Sequence, residues 1–234
     1  MKTIFITNGT LLTDDTIKFL SFYRDTIDEI KISFDGRGND FVRGKGTTKL
    51  ILSAIEKLDR NNFPWTLNTI INKYNVDYLN EIYDFLENYN PKYWRLDIPF
   101  ISGRMAENKD EIGIFDMEII IKRCAKIIKR NIIDTHKSFD LWIYNIYSPG
   151  LENYDFAEKT KDIHPCSYNK RNLGIRGLGE VTPCARFLDL KLSSVKGKSI
   201  RDAKKDEKYK KFWEIKVGDF KECFDCRYYK ICGS

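Results

Sequence analysis

Cysteine is the residue type whose spacing says most about the chemistry of this chain. The 234 residues contain six cysteines, and the first of them is Cys124. The other five all lie in the last third of the chain: Cys166, Cys184, Cys223, Cys226 and Cys232. The first two of these five form the pattern C-x12-G-x4-C around Gly179, and the last three form C-x2-C-x5-C.

Spacing of this kind is typical of metal or cluster ligands. A tight turn lets both thiolates of a C-x2-C pair point to one ion, and the next turn adds a third thiolate. Gly174, Gly177 and Gly179 allow a bent hairpin that carries the first cysteine pair. Four thiolates suit zinc as well as an iron–sulfur cluster, so spacing alone does not choose the metal. For Cys124, in a helical segment, we favour the role of a small buried hydrophobe.

The composition bounds the class of protein. A hydrophobic content of 42% with 14% aromatics is enough for a sizeable core, and the length fits one large domain or two small ones. No apolar run reaches the roughly 18 residues of a membrane span. The N-terminus turns polar after Ile6, unlike a secretory leader. We therefore expect a cytoplasmic protein with no membrane partner, whose cysteines stay reduced and bind metal rather than form disulfides.

The positive charge does not point to a nucleic acid. The net charge is +6, and the densest basic run, KKDEKYKK at 204–211, also carries Asp206 and Glu207. A nucleic-acid site needs basic residues on one face, with aromatic side chains for stacking, and this run offers one tyrosine. We interpret the run as a solvated helix face and expect no nucleic-acid partner.

Alternating strand-like and helix-like segments fill the first 150 residues. Runs of β-branched and aromatic residues predict strands at 2–7, 28–34, 64–71, 93–100 and 139–147. Helical periodicity predicts a helix that begins near residue 14 and others over 47–58, 76–88 and 115–133. This alternation favours parallel strands with right-handed crossovers. A closed barrel of eight units needs about 250 residues, so the prediction is an α/β fold, as part of a barrel or a short open sheet.

Small polar residues and glycines follow several of these strands. The main positions are Asn8, Gly9, Asp35, Gly36, Asn68 and Asn72. In parallel α/β folds the ligand site lies at the carboxyl ends of the strands, so these positions are candidates for ligand contact. The alternative is turn chemistry, because Asn, Asp and Gly tolerate the backbone angles of tight turns.

The cysteine frame resembles that of radical SAM enzymes with a C-terminal SPASM extension. That extension has the pattern C-x9–15-G-x4-C, a gap, C-x2-C-x5-C-x3-C, a further gap and a final cysteine. The five cysteines match its first part and the start of its second part, GEVTPC at 179–184 resembles its G-x-V-x-P-C stretch, and 198–213 resembles its helical linker. The resemblance implies a SPASM-like domain over 151–234 with one or two auxiliary [4Fe–4S] clusters. Their ligands would be Cys166 and Cys184 in one site, and Cys223, Cys226 and Cys232 in another.

The first 150 residues resemble the barrel of the same family. ITNGTLLTDD (6–15) is similar to its third strand and turn, IKISFDG (30–36) to its fourth strand, and PFISGRM (99–105) to its sixth. The resemblance implies a partial parallel (β/α) barrel over 1–150, roughly its third to sixth strand–helix units. It places Ser33 and Asp35 where the fourth strand meets the ribose of S-adenosylmethionine (AdoMet), with Asn8 and Gly9 near the same pocket.

The resemblance also implies a chemistry. These enzymes hold a [4Fe–4S] cluster on a C-x3-C-x2-C loop, reduce AdoMet to a 5′-deoxyadenosyl radical, and use it to abstract a hydrogen. Many of them modify peptides or proteins, so a peptide or protein substrate is expected. This sequence contains no C-x3-C-x2-C. The 234 residues alone are therefore expected not to cleave AdoMet, and no residue is assigned a catalytic role.

Other positions depart from the family pattern. The next SPASM cysteine would fall at position 236, and Ala185 stands where the sulfatase-maturing branch has Asp. Three hypotheses stay open. The chain is the C-terminal portion of a radical SAM/SPASM maturase, or a non-catalytic iron–sulfur or zinc module that binds a peptide partner. In the third, it is a zinc-stabilised α/β domain that shares only the family's architecture.

Overall fold

The computed structural model describes residues 2–101, 104–114, 116–143, 173–184, 187 and 189–221. The chain divides into two compact units, Met1–Asn153 and Tyr154–Ser234. The described residues of each unit form a separate hydrophobic cluster. Nowhere in the described ranges is a helix both long and apolar enough to cross a membrane.

The first unit is a parallel sheet of five strands with helices between them. Its strands are β1 (Thr3–Thr7), β2 (Ile27–Ser33), β3 (Trp65–Ile70), β4 (Tyr93–Asp97) and β5 (Asp140–Ile143). The order of the strands across the sheet is their order in the chain, and every neighbouring pair is parallel. The helices described in this unit are α1 (Asp14–Ser21), α2 (Asn39–Arg43), α3 (Thr47–Arg60), α4 (Leu79–Leu86), α5 (Arg104–Glu107), α6 (Lys109–Ile112) and α7 (Met117–Ile133).

One face of this sheet, the helix face, forms the core with the helices. Because side chains alternate along each strand, every second residue points to this face. The fully buried apolar side chains on this face of the sheet are Ile30, Ile32, Trp65, Leu67, Trp94, Leu96, Leu141 and Ile143. Helices α3, α4 and α7 contribute Ile51, Ile55, Leu58, Ile82, Leu86, Ile120 and Ile127 to the same cluster. Each buried side chain of this size contributes about 1.5–3 kcal/mol of transfer free energy.

The α/β class and the parallel sheet predicted from the sequence are confirmed. Strand and helix bounds agree with the prediction to within a few residues, and the predicted strand at 139–147 is described as far as Ile143. The short helices α2, α5 and α6 were not predicted. Segments of four or five residues span hardly more than one turn, which is too short for a periodic apolar pattern.

The described part of the second unit holds a small antiparallel sheet and two helices. Its elements are β6 (Gly174–Ile175), β7 (Glu180–Thr182), β8 (Ser193–Ser194), α8 (Ile200–Ala203) and α9 (Glu207–Glu214). Strands β6 and β7 pair as a hairpin across the glycine-rich segment. Tyr209, the one tyrosine of the basic run, is buried in the core of this unit, while the lysines around it lie on the outside. This arrangement agrees with a solvated helix face.

Asp40 fixes the beginning of α3. Its carboxylate accepts hydrogen bonds from the backbone amides of Gly46 (2.8 Å) and Thr48 (2.6 Å). Gly46 is the N-cap of α3 and Thr48 lies in its first turn, where backbone amides have no partner within the helix. Hydrogen bonds from the hydroxyl and amide of Thr48, together with that of the Gly46 amide, hold the pKa of Asp40 at about 2, below its usual value of 3.8.

We expect Asp40→Asn to reduce the acid sensitivity of the first unit. The unfolded chain takes up a proton at Asp40 near pH 4, whereas the folded chain does so only near pH 2. The contribution of Asp40 to stability is therefore complete above pH 4 and lost as the pH falls from 4 to 2. Urea unfolding followed by near-ultraviolet circular dichroism between pH 5 and pH 2 should show a shallower loss in the variant. An unchanged pH slope would contradict this role.

Candidate cofactor site at the carboxyl edge of the sheet

The face of the sheet opposite the helix face is mostly polar. This polar face is formed by Ile4, Ile6, Glu29, Lys31, Ser33, Thr66, Asn68, Ile70, Tyr93, Arg95, Asp97, Asp140 and Trp142. Buried parallel strands usually carry apolar residues on both faces, so a polar face calls for an explanation beyond packing. The carboxyl ends of all five strands meet at one edge of the sheet, where parallel α/β folds bind their ligands.

Ser33, Asn68 and Arg95 form a row across three strands at this edge. Ser33 pairs with Asn68 in the β2–β3 register, and Asn68 pairs with Arg95 in the β3–β4 register. The side-chain oxygen Oδ1 of Asn68 is buried and has no hydrogen-bond partner among the described residues. The guanidinium of Arg95 donates to Asp97 Oδ1 from Nε and Nη2, both at 2.9 Å. The row therefore offers a ligand one buried acceptor next to a serine hydroxyl.

A second polar cluster lies on the polar face, closer to the amino ends of the strands than the row of Ser33, Asn68 and Arg95. Thr66 Oγ1 donates to Glu29 Oε1 (2.6 Å), and Lys31 Nζ donates to the Tyr93 hydroxyl (2.8 Å) and lies 3.4 Å from Glu29 Oε2. Burial alone would lower the pKa of Lys31, but its hydrogen bond to the Tyr93 hydroxyl and the charge of Glu29 outweigh the effect of burial, so the pKa is raised. Burial raises the pKa of Tyr93. The cluster therefore holds a charged lysine and a neutral tyrosine.

Asn8 and Gly9 form the turn that follows β1. Asn8 is exposed, and its Oδ1 accepts hydrogen bonds from the Thr10 amide (3.2 Å) and hydroxyl (3.0 Å). Gly9 is buried with φ +76°, and a Cβ built there would lie 3.4 Å from Ala54 Cβ. Backbone geometry thus accounts for the glycine, while the Asn8 side chain stays accessible at the edge.

Asp35 ties the end of β2 to the end of β3. Its carboxylate is 1% exposed and accepts hydrogen bonds from Arg43 Nε (2.7 Å), Arg43 Nη2 (3.0 Å) and the Ile70 amide (2.9 Å). Its own amide donates to Asn39 Oδ1 (3.1 Å), and its carbonyl accepts from Asn75 Nδ2 (3.0 Å). We call Asp35, Asn39, Arg43 and Asn75 the Asp35 clamp. Asp35 lies at the predicted edge, but its carboxylate is turned to protein groups.

One of the five cysteines predicted as ligands falls within the described residues. Cys184 lies just after β7, its thiol is partly buried, and its carbonyl accepts a hydrogen bond from Thr182 Oγ1 at 3.0 Å. The other four lie outside the described residues: Cys166, Cys223, Cys226 and Cys232. The described residues contain no group of three or more His, Cys, Asp or Glu side chains placed to hold a metal ion. Cys124 is buried, as predicted, and burial raises its thiol pKa to about 11.

Ser33, Asp35, Asn8 and Gly9 therefore all lie at one edge of the sheet, as their positions at the end of β2 or just after β1 and β2 predict. The structure places Asn68 at this edge as well, and adds Arg95, which the sequence did not single out. The sequence left Asn68 open between ligand contact and turn chemistry, because an asparagine near the end of a strand is common in turns. The alternation of the predicted strand 64–71 was the signal that could have placed its side chain beside that of Ser33.

No family model matches this chain. The S-adenosylmethionine-dependent nucleotide dehydratase of Lacinutrix mariniflava is 29% identical over 147 residues, which are 60% of this chain and 28% of that protein. The AdoMet-dependent heme synthase of Methanosarcina barkeri is 22% identical over 253 aligned positions, which cover 99% of this chain and 68% of that protein.

Two solved structures have the same fold. Native anSMEcpe with bound AdoMet and the Kp18Cys peptide gives a TM-score of 0.71 at 15% identity, over 99% of this chain and 65% of that one. SuiB of Streptococcus suis bound to the precursor peptide SuiA gives 0.73 at 14% identity, over 100% of this chain and 54% of that one.

The resemblance to radical SAM enzymes that the sequence predicted is confirmed. Both relatives are AdoMet-dependent by name, and both solved structures are radical SAM/SPASM proteins with this fold. The chain spans between 28% and 68% of the length of these four proteins.

We expect Asp35→Asn to destabilise the first unit by about 3 kcal/mol, because removing one member of a buried ion pair leaves the other charge without compensation. Asp77→Asn is the matched control. Asp77 also pairs with an arginine, Arg123, but its side chain is 54% exposed, and such pairs contribute about 0–1 kcal/mol. Urea denaturation measures both variants. Equal losses of unfolding free energy in the two variants would show that the Asp35 clamp stabilises the unit no more than an exposed ion pair does.

Proposed function

We propose that this chain is the C-terminal portion of a radical SAM/SPASM enzyme that modifies a peptide or protein. In this proposal the carboxyl edge of the sheet binds AdoMet, the polar face contacts the substrate, and the cysteines of residues 151–234 bind auxiliary [4Fe–4S] clusters. Support comes from the AdoMet-dependent relatives and from the two peptide-bound structures that share the fold.

The observation that carries the AdoMet assignment is the buried, unpaired oxygen of Asn68. A buried acceptor without a donor is destabilised by about 1–3 kcal/mol, so such atoms are rare in folded proteins unless a ligand or water meets them. AdoMet presents hydroxyl and ammonium donors together with a carboxylate that the Ser33 hydroxyl can bind. Ser33 and Asn68 are neighbours in the register, so one ligand of this size reaches both.

The other residues of the edge have different tasks in this proposal. Asn8 keeps an exposed amide nitrogen at the end of β1 that can contact the cofactor, and Gly9 gives the turn its close approach to α3. Asp35 acts as a positioning residue, since its carboxylate is occupied by Arg43 and Ile70. By holding the ends of β2 and β3 together, it keeps Ser33 and Asn68 in register.

Bound AdoMet supplies the hydrogen-abstracting chemistry of the family. The 234 residues contain no C-x3-C-x2-C, so in this proposal the cluster that starts the chemistry is held by residues outside this sequence. In this proposal the chain itself provides the residues that bind the cofactor and the polar face that contacts the substrate. The polar face carries two ion pairs, Lys31 with Glu29 and Arg95 with Asp97, and each pair has no net charge. A surface of this kind suits the neutral hydrogen-bonding groups of a peptide backbone.

The cysteine assignments complete the proposal. Cys166 and Cys184 would belong to one auxiliary site, and Cys223, Cys226 and Cys232 to another. Thiolates in these numbers suit iron–sulfur clusters, with zinc as the alternative. Iron in the purified protein would favour the enzyme portion. Zinc alone would favour the third hypothesis, an α/β domain that zinc stabilises.

We expect Asn68→Leu and Ser33→Ala each to weaken AdoMet binding by about tenfold or more, because each removes a hydrogen bond in a buried site. Isothermal titration calorimetry with AdoMet measures the effect. Asn88→Leu is the control, since Asn88 follows α4 and lies at the opposite, amino edge of the sheet. The assignment is wrong if all three variants bind AdoMet as the unsubstituted chain does.

Anaerobic reconstitution with iron and sulfide should give a protein with the broad visible absorption of a cluster. Cys223→Ser and Cys184→Ser should each lower the iron content, whereas Cys124→Ser should not, because its thiol is buried in the first unit. The chain alone should form no 5′-deoxyadenosine from AdoMet and a reductant. Formation of that product would contradict the location proposed for the radical-generating cluster.

A further inference from the structure

We propose that the groove between α4 and α7 binds an acidic segment of the peptide substrate, away from the residue that is modified. This inference deepens the proposed function and rests on its assumption that the substrate is a peptide or protein. Binding in the groove requires neither AdoMet nor a cluster, so it is measured separately from the rest of that function.

The groove consists of two adjoining hollows. The upper hollow, of about 310 Å³, lies between the loop that follows β3 and the first turns of α7. The lower hollow, of about 250 Å³, continues between the facing sides of α4 and α7. Val76, Asp77 and Arg123 line both hollows, so the two adjoin. We call them together the α4–α7 groove.

The helices that form the groove belong to the middle of the sheet. Helix α4 follows β3 and α7 follows β4, and each of these two strands pairs with a neighbour on both sides. The walls of the groove are therefore formed by consecutive units of the five-stranded sheet, and its openness does not arise at either edge strand.

The floor of the upper hollow is apolar. Val76 is buried, Ile114 is partly buried and packs against the core, and Ile119 is 40% exposed. An exposed isoleucine beside buried apolar side chains is a surface that an apolar side chain of a ligand can cover. The floor therefore favours a ligand with apolar side chains between its charged groups.

The rim of the groove is mainly basic. Four basic side chains, Lys73, Lys122, Arg123 and Lys126, line it, against one acidic side chain, Asp77. Lys73 Nζ donates to a backbone carbonyl, which leaves its charge uncompensated. Neither Lys73 nor Lys126 forms an ion pair within the described part of the chain. Charge complementarity therefore favours an acidic ligand.

The acidic side chain of the groove is held by a weak contact. Asp77 Oδ1 lies 2.6 Å from Arg123 Nε, and the two side chains are 54% and 39% exposed. Exposed ion pairs contribute about 0–1 kcal/mol. A carboxylate of the ligand can therefore take the place of Asp77 beside Arg123 with little loss of free energy.

The position of the groove favours a peptide over a small anion. The loop that follows β3 and the beginning of α7 both lie on the side of the carboxyl ends of the strands, where the candidate cofactor site lies. Lys73 follows Asn68 by five residues, so their Cα atoms are at most about 18 Å apart. About six extended residues span that length. A peptide held in the groove can thus present a neighbouring residue to the edge of the sheet.

The test measures binding of a defined probe to the full chain without AdoMet or iron. The probe is a short fluorescein-labelled peptide of glutamate and leucine residues, and the matched peptide has glutamine in place of glutamate. By fluorescence anisotropy, we expect the glutamate peptide to bind at least about tenfold more tightly than the glutamine peptide. Its affinity should fall as the salt concentration rises, because the basic side chains of the groove are exposed.

Variants of opposite charge distinguish this groove from other basic surfaces. Lys126→Glu should weaken binding of the glutamate peptide by about tenfold, whereas Asp77→Asn should strengthen it by about two- to fivefold, because it removes the acidic group from Arg123. Lys49→Glu is the matched control, since Lys49 is also an exposed lysine of the first unit but lies on α3. A general loss of structure would not strengthen binding in any variant.

Three results would overturn the inference. They are equal affinity for the glutamate and glutamine peptides, an equal loss in Lys126→Glu and Lys49→Glu, and complete displacement of the peptide by inorganic phosphate at the same concentration of charge. Failure of the proposed function has a different readout, namely AdoMet binding that is insensitive to Ser33→Ala and Asn68→Leu. Either result leaves the other assignment standing or falling on its own measurement.

Discussion

The hydrogen bonds of one buried carboxylate hold together the edge on which the candidate site depends. Asp35 lies where β2 ends, and through Arg43 and the Ile70 amide it fixes both the short helix α2 and the end of β3. A buried ion pair contributes little net stability compared with apolar packing, but it specifies a geometry, because its loss leaves a charge unpaired. The register that places Ser33 beside Asn68 is the geometry in question.

Most of the fold was predictable because the spacing of apolar residues along the sequence indicates where its strands and helices lie. The strands of the first unit alternate or run as apolar segments, and α3 and α7 carry long amphipathic patterns, so their type and order followed from the periods. Parallel pairing followed from the alternation of strands and helices. The clustering of Asn8, Gly9, Ser33 and Asp35 at one edge followed in turn, since all of them lie at or just after strand ends. None of these inferences needed a contact between residues far apart in sequence.

The parts that could not be predicted depend on side-chain pairing in space. Asp35 was expected near the ribose of AdoMet, but nothing in the sequence indicated that its carboxylate pairs with Arg43, which a five-residue helix brings back to it. Lys31 pairs with Glu29 on its own strand and donates a hydrogen bond to Tyr93 on β4, which is 62 residues away in the sequence. The sequence left Asn68 open between a turn and a ligand contact, because an asparagine at a strand end gives the same signal in both cases. Only burial of its oxygen without a donor separates the two cases.

The buried oxygen of Asn68 also disfavours one class of ligand at the proposed site. A ligand that brings an oxygen or nitrogen lone pair to that point would leave two acceptors facing each other without a proton between them. The resulting loss of about 1–3 kcal/mol corresponds to roughly 5–150-fold in affinity, which is comparable with what one extra methylene in an apolar pocket gives. In the proposed cofactor site, discrimination between ligands would therefore follow the direction of one hydrogen bond rather than the outline of the ligand. Two molecules of the same shape, one a donor and the other an acceptor at that position, would be told apart by a single backbone register.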